Sequence, residues 1–487
     1  MSPPPASDAP SAPALGDGLR SLSRAALDAE VVALAAVLRA SRVHVLASLM
    51  DNSPAWAVAD LAAARAGIVH IPLPLFFTAA QIGHALQAAG ADALLAPREA
   101  AARWPGAPQR PCSVAGEALC LVRLAAVPAA MPAGTAKITF TSGSTGTPKG
   151  VCLGGPALQA VATGLAQALA PLEIRRHLCA LPLAVLLENI AGLLAPLAAG
   201  AECIVPPLQQ AGLNGSSGFD PAQFDAAVAR HAPHSVILLP QMLTAWVAHL
   251  AHSRRRAPVS LRFVAVGGAA VGAPLLAAAR ALGIPAYEGY GLSEGASVQT
   301  LNLPGADLPG SAGRPLPHAR LRISSSGEIE AAGSLMLGYL GDDAGPPAWW
   351  PTGDLGRIDD DGFLHVQGRR KNVLITAFGR NVSPEWVETA LQSDPAVAAA
   401  AVFGDGQPVL GAVLWPMPGA GDAELQRAVD AANATLPDYA RVVRWTRGIA
   451  PFSATAGFAT ANGRPQRAAI FQAHAAALLP GAAAQPA

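Results

Sequence analysis

The sequence predicts an α/β protein: a large N-terminal domain of α/β sheets carrying a β-rich subdomain, followed by a small α+β C-terminal domain. Three observations lead there. A chain of 487 residues exceeds what one hydrophobic core usually organises, so two or more domains are expected. From residue 41 onward, short apolar runs alternate with helical patterns, the arrangement of parallel strands joined by crossover helices. Past Gly310 the alternation gives way to short strands and turns, and past a charged segment at 369–372 a second strand–helix unit begins.

Taken in order, residues 43–50 and 68–71 read as strands, and 54–67 between them as an amphipathic helix with Trp56, Leu61 and Ala64 near one face. A helix at 78–89 and a strand at 93–96 follow. Residues 138–140, Ile-Thr-Phe, form a strand running into a turn rich in serine, threonine and glycine. Then come a helix (155–169), a strand (177–181), a helix (187–199) and a strand (202–205). Residues 214–218 read as a surface loop, 224–231 and 241–252 as helices, and 235–239 as a strand between them. The strand 261–266 runs into Gly267-Gly268-Ala269-Ala270, a helix continues to 282, and a strand at 286–290 turns sharply at 291–295. Strands at 319–323, 328–331, 338–339 and 363–366 make the β-rich part. Asp359-Asp360-Asp361-Gly362 is a hairpin turn, because it lacks the spaced ligands and distal glutamate of a calcium loop. In the last unit Ser383-Pro384 caps a helix at 385–392. Strands at 397–403, 409–415 and 442–445, with a helix at 423–436, complete it before a basic turn at 460–467 and a final helix.

Composition excludes several classes. Thirty-three basic residues balance thirty-three acidic ones, so the electrostatic footprint of a nucleic-acid binder is missing. Arg254-Arg255-Arg256 reads as a solvated helix end or loop. Five scattered cysteines with no Cys-x-x-Cys argue for a reducing, cytoplasmic setting and against disulfides or a zinc site. Residues 1–18 are Pro/Ala/Ser-rich, lack the charged start and apolar core of a secretory signal, and read as a disordered tail. Residues 178–208 are apolar enough to suggest a membrane span, but Glu188-Asn189 and four prolines inside them point to buried strand–helix–strand structure, so no transmembrane segment is expected.

The chemistry concentrates at Ile138–Val151, ITFTSGSTGTPKGV. Glycines let several N–H groups turn toward one point, hydroxyls add donors, and Lys149 adds a positive charge, which together make a cradle for polyphosphate. Lys149 follows proline and precedes glycine, so this is not the common Gly-Lys-Ser/Thr loop. Gly267-Gly268 at a strand end would let a flat ligand lie against bare backbone, and Tyr290 could stack on it. A carboxylate beside a phosphate loop repels unless a cation is shared, so Glu294 suggests Mg²⁺; the plainer alternatives are an ordinary turn and a surface charge. Asp354, set among glycines, could accept two ribose hydroxyls, and the charge cluster Arg369-Arg370-Lys371 after Gly368 looks like a joint between bodies.

TSGSTGTPKG (141–150), GYGLSE (289–294), PTGDLGRIDDDGFLHVQGRRKNVLIT (351–376) and the Asn462-Gly463 turn occur in that order. From about Ser41 to Arg467 the chain resembles the adenylate-forming superfamily of acyl-CoA synthetases, peptide-synthetase adenylation domains and luciferases. The resemblance implies an AMP-binding domain at 19–368, a hinge at 369–371 and a mobile lid at 372–487. It implies that Thr141, Ser142, Gly143, Ser144, Thr145, Gly146 and Lys149 hold the ATP phosphates. Gly267, Gly268 and Ala269 would line the adenine and acyl pocket, and Tyr290, followed by Gly291, would pack on adenine. Ser293 and Glu294 would serve phosphate and Mg²⁺, with Thr145 as a second metal residue. Asp354 would bind the ribose, Arg369 ribose or phosphate, Lys371 would be the hinge residue, and Gly379 would line the pantetheine tunnel. The implied reaction uses ATP, Mg²⁺ and a carboxylic acid: the carboxylate attacks the α-phosphorus, pyrophosphate leaves, and the acyl-adenylate passes its acyl group to coenzyme A or carrier-protein phosphopantetheine.

One departure stands out. Where the family usually places a lysine after the C-terminal Asn-Gly, this chain has Arg464. Arginine keeps the charge but not the compact ammonium. Either Arg464 does the adenylation work, or that half-reaction is slow, or Arg467 compensates. For the substrate, Leu181-Pro182-Leu183, Glu188 and Ala191-Gly192 resemble long-chain fatty acyl-CoA synthetases, while Ala184-Val185-Leu186 stand where a histidine gate is usual. An apolar acyl pocket is favoured over an amine-binding one, for which Glu188 or Asp220 would have to serve. An acyl-AMP or acyl-carrier-protein ligase, and a non-catalytic acyl- or nucleotide-binding relic, are the alternatives.

Overall fold

The structure, a computed structural model, describes residues 11–141, 148–215, 218–342, 345–377, 380–460 and 463–478. Two large sheets organise the N-terminal part. In the eight-stranded sheet, Thr135–Thr141, Val69–Pro72, Val45–Ser48 and Ala93–Pro97 lie side by side and parallel. Its flanks are antiparallel: Glu117–Arg123 with Gln109–Val114 on one side, Lys149–Gly154 and Gly338–Tyr339 on the other. The connections explain the mixture. Parallel neighbours need crossovers, supplied by helices Pro54–Ala66 and Ala79–Ala88, whereas the hairpin turns at Ala115 and Gly116, both at positive φ. In the nine-stranded sheet, Ser235–Leu238, Phe263–Val266 and Ala286–Leu292 run parallel, and Ser297–Leu301 returns antiparallel.

Helix Pro54–Ala66 starts where the Ser53 hydroxyl accepts from the Trp56 N–H and stops at Gly67 in the left-handed region. It is buried nearly all round. One apolar cluster joins Leu46 and Leu95 of the first sheet to Leu15, Cys179 and Cys203 of the second around Trp56, so the helix sits between the two sheets.

The β-rich part is a four-stranded antiparallel sheet, Ala319–Ile323, Glu328–Gly333, Trp350–Ile358 and Leu364–Arg369. Asp359 closes the last hairpin: its carboxylate accepts from the Phe363 N–H and meets His365 Nε2 at 2.7 Å, as the turn reading expects. The C-terminal unit has helix Pro384–Gln392, a sheet of Val397–Phe403, Leu410–Pro416 and Val442–Arg447, and helices Asp422–Thr435 and Arg467–Leu478.

Four expectations need correction. Residues 13–16, read as disordered tail, form strand Pro13–Gly16 parallel to Glu202–Ile204, with Ala14 and Leu15 fully buried. Three apolar residues amid proline and alanine carry no visible period, and a sheet edge made elsewhere in the chain supplies their partners. Residues 1–10 lie outside the described residues. The helix expected at 187–199 is a π-helix, Glu188–Leu194, followed by a short α-helical turn, Ala195–Ala198. Glu188 and Asn189 within it are buried and bonded: Glu188 meets His177 of the second sheet, while Asn189 bonds Asp60 of helix Pro54–Ala66 and Lys137 of the first sheet. Lys149, read as part of a loop, opens strand Lys149–Gly154 and pairs with Thr141. Ser383 is the N-cap of its helix, but its hydroxyl bonds the Glu385 carboxylate rather than a backbone N–H. Helix Arg24–Ala40 and the hairpin Gln109–Val114/Glu117–Arg123 went unread. No described helix is long and apolar enough to cross a membrane. The arginine run ends helix Pro240–Ser253, with Arg255 bonded to Asp225 at 2.5 Å.

Candidate functional site

Three strand ends bring the predicted residues together. Strand Ala286–Leu292 ends in the turn Ser293–Gly295, which presents Glu294. Gly291 is obligatory here: a Cβ on it would stand 2.4 Å from the Ser297 carbonyl oxygen. Glu294 Oε1 accepts from the Tyr339 hydroxyl at 2.8 Å, and Lys149 Nζ lies 5.4 Å from the centre of the Tyr339 ring. Burial and the nearby Glu294 raise the Tyr339 phenol pKa above its ordinary value. Lys149 and Glu294, far apart in the sequence, thus meet on one tyrosine, for which the sequence reading gives only a strand. The signal was present, because Tyr339 sits beside Gly338 in a short run with the length to pair with the lysine strand.

Asp354 is 5% exposed on strand Trp350–Ile358. Its two oxygens accept from the Tyr290 hydroxyl at 2.7 Å and from Arg369 Nε at 2.8 Å. Strand register is the cause of the second contact, since Asp354 and Arg369 are direct partners across the hairpin. Burial pushes the Asp354 carboxyl up, against Arg369 and Tyr290, which favour its charge. Tyr290, expected to stack on a flat ligand, here packs on Ala312, Ile329 and Leu364 and spends its hydroxyl on Asp354.

Arg464 reaches the same place from the C-terminal unit. The Thr460 N–H donates to the Arg464 carbonyl at 2.7 Å, and the Arg464 N–H to the Thr460 hydroxyl at 3.2 Å, which closes the turn. Neighbouring Gly463 abuts Gln241 of helix Pro240–Ser253. Arg464 is exposed on this turn; desolvation and then the charge of Arg369 lower its pKa, while the charges of Asp354 and Glu294 oppose that shift. Arg467 is committed elsewhere. It grips Glu388 with two bonds of 2.6 Å and also bonds the Val402 carbonyl, so the reading in which it compensates at the site does not fit. Lys371 is exposed in the turn Arg370–Asn372, flanked by the pair Arg370–Glu328 at 2.5 Å and by Asn372 bonded to Glu385 at 2.5 Å.

Gly268 and Ala269 are exposed, and a Cβ on Gly267 would sit 3.2 Å from the Gly289 carbonyl oxygen, so bare backbone faces bare backbone. Beneath this loop Glu288 is 8% exposed and accepts from the Val271 N–H at 3.1 Å. Burial raises its pKa to about 7, against that hydrogen bond. Between an unfolded value near 4.5 and about 7, the unfolded chain has lost this proton while the folded chain keeps it, so stability falls as pH rises through that window. Glu288→Gln removes the penalty: relative to the parent it gains on the order of 3 kcal/mol at pH 8 and nothing near pH 4.5. Denaturation midpoints across that range measure it, and a pH-independent difference rejects it.

Below the lysine strand lies a buried polar network the sequence reading missed. Lys137 Nζ bonds Asp60 Oδ1 at 2.8 Å, Asp60 bonds His70 Nδ1 at 2.6 Å, and His70 Nε2 meets the Ser48 hydroxyl at 2.9 Å. Asn189 of the π-helix donates to Asp60 at 2.9 Å and accepts from Lys137. Burial opposes ionisation of Asp60, but Lys137 and His70 outweigh it and hold the carboxyl well below the usual range.

Ser142, Gly143, Ser144, Thr145, Gly146 and Gly379 lie outside the described residues; Thr141 ends its strand, half-buried. Glu294 offers carboxylate oxygen, a hard donor that suits Mg²⁺, and has no ion-pair partner among the described residues. The donors His177, Cys179 and Glu188 also cluster, but all three are buried. Glu188 is fully buried against His177, and Asp220 caps helix Pro221–His231, so neither is free to receive a substrate amine.

Residues 5–339 match the AMP-binding enzyme family, and residues 371–478 match the AMP-binding enzyme C-terminal domain. A long-chain-fatty-acid–CoA ligase, FadD15, of Mycobacterium bovis is 39% identical over 184 residues, 36% of this chain and 30% of that protein. The chain therefore spans under a third of that relative's length in the match. A feruloyl-CoA synthase of an Amycolatopsis species is 32% identical over 441 residues, 83% of this chain and 84% of that one. The solved O-succinylbenzoate coenzyme A synthetase of Bacillus subtilis, in complex with ATP and magnesium, superposes with a TM-score of 0.71 at 26% identity, covering 90% of this chain and 94% of that one. With the family model covering more than half its length and its site residues meeting at three strand ends, the chain belongs to the AMP-binding enzyme family.

Proposed function

We propose that this protein is an AMP-forming acid–thiol ligase that activates an apolar carboxylic acid, with fatty acids as the leading class, and transfers the acyl group to coenzyme A. The observation that carries the reading is the match of residues 5–339 and 371–478 to the AMP-binding enzyme family, in a chain where Tyr339 brings Lys149 and Glu294 together and Asp354 pairs with Arg369. A site for attack of a carboxylate on a nucleotide needs a cation that can approach both, and Arg464 is that cation. Lys149 neutralises the outer phosphates, and the exposed backbone at Gly268 and Ala269, next to buried Gly267, receives the base. Asp354 turns from Tyr290 and Arg369 to the ribose hydroxyls. Glu294, with Thr145, would hold Mg²⁺, which when bound supplies charge neutralisation on phosphate oxygens. In the first half-reaction an O–P bond forms between acid and AMP as the bond to pyrophosphate breaks. In the second, a C–S bond forms as the acyl–AMP bond breaks. Residues 369–371 are the hinge on which 372–487 would turn between the two.

The long match to a feruloyl-CoA synthase favours aryl acids as a second reading. Hydroxamate trapping with ATP, Mg²⁺ and a panel of fatty, aryl and amino acids separates the two. Adenylate from fatty acids supports the first reading, and adenylate from aryl acids alone supports the second. No adenylate with any acid removes the enzyme reading. Adding coenzyme A or a phosphopantetheinylated carrier then identifies the acceptor.

A further inference from the structure

We propose that Tyr339 is a positioning residue of the nucleotide site: it holds Lys149 and Glu294 on separate neutral contacts and so keeps these opposite charges from pairing with each other. The inference rests on the nucleotide-binding reading above. Its geometric basis is a backbone strap, residues 336–340, bonded to both sides of the site. The Met336 N–H donates to the Glu294 carbonyl at 2.7 Å, while the Leu337 and Leu340 N–H groups donate to Cys152 and Gly150 of the lysine strand, each at 2.8 Å. Gly338–Tyr339 completes that pairing, with Tyr339 opposite Val151. The strap thus carries one side chain to the junction between the sheets, and Trp350, edge-on at 6.0 Å, packs against its ring.

Tyr339 then serves two clients through two different parts. Its hydroxyl donates to Glu294 Oε1 at 2.8 Å, and its ring face lies 5.4 Å from Lys149 Nζ. Among the described residues, neither Lys149 nor Glu294 makes an ion pair. That is unusual for a cation and a carboxylate sharing one neighbour in a partly enclosed cleft, where direct pairing would be favourable. Pairing would also cancel the two charges that phosphate and metal require. A phenol partners both without neutralising either, so the contacts given up on nucleotide binding are weaker than a salt bridge.

The test is calorimetric titration of ATP into the full chain in EDTA, where no metal engages Glu294. Tyr339→Phe keeps the ring and its packing on Trp350 but frees Glu294 to capture Lys149. The expected result is ATP binding roughly fivefold to tenfold weaker than in the parent. In a Glu294→Gln background the same substitution has no such effect, because no carboxylate remains to capture the lysine. Unchanged ATP affinity in Tyr339→Phe overturns the inference, and so does an equal loss in the Glu294→Gln background, which would mark a merely structural role. A parent protein that binds ATP neither in EDTA nor with Mg²⁺ overturns the nucleotide-binding reading itself, and this inference with it.

Discussion

Arg464→Ala is expected to slow acid-dependent pyrophosphate exchange by on the order of 10²- to 10³-fold, the usual cost of removing one well-placed charge donor at a developing anion. The reason lies in its surroundings. It feels the charges of Arg369 and Asp354, on two strands of the N-terminal part, and of Glu294 in the turn Ser293–Gly295, and its pKa is lowered by desolvation and by Arg369. A cation beside another cation and two carboxylates has anion binding as its expected task, and the proposed function assigns it the carboxylate and the α-phosphate. Arg464→Lys keeps the charge in a compact form and is expected to stay within about tenfold of the parent. Arg467→Ala does not reproduce the effect on exchange, because Arg467 is spent on Glu388 and Glu385. An unchanged exchange rate in Arg464→Ala would refute the role.

Asp60→Ala is expected to lower stability by roughly 3–5 kcal/mol, the cost of leaving a buried charge unpaired. Lys137 is only 4% exposed, and Asp60 is its counter-ion. The loss also carries a pH signature. The Asp60 carboxyl is held well below its ordinary value of 3.8, so the stability it contributes is present above that pH and is lost as pH falls below it. His70 is pushed below its ordinary 6.5 chiefly by burial, with Asp60 opposing, so the unfolded chain takes up a proton first and stability falls as pH drops below 6.5. Chemical denaturation of the parent therefore weakens in two stages on acidification, and Asp60→Ala lacks the lower stage. A parent–variant gap under 1 kcal/mol at pH 7 would show that Lys137 finds other partners.

Much of the site was legible because its chemistry is local. A loop of glycines and hydroxyls ending in lysine, a glutamate at a glycine turn, and an aspartate among glycines each declare their purpose within about ten residues. The identity of Arg464 as an outlier was equally local. What no short window shows is which of these groups touch. Tyr290 bonds Asp354 because a long return from residue 290 to residue 354 ends in the same cleft, and Tyr339 reaches Glu294 because a strap pairs with the lysine strand.

By itself, the sequence determined the α/β class, the order of most strands and helices, and the residue types gathered at the site. Those follow from short-range rules: apolar period, capping, and the backbone freedom of glycine. Only the tertiary structure decided that residues 13–16 belong to a sheet, that residues 188–194 wind as a π-helix, and that Lys137, Asp60, His70 and Asn189 form one buried network. It also decided that Arg467 is bound to Glu388 while Arg464 stays exposed on its turn. The physical reason is common to all of these. An edge strand and a buried charge are each stable only with a partner, and here those partners come from other elements of the chain, so the pairing exists only once it has folded.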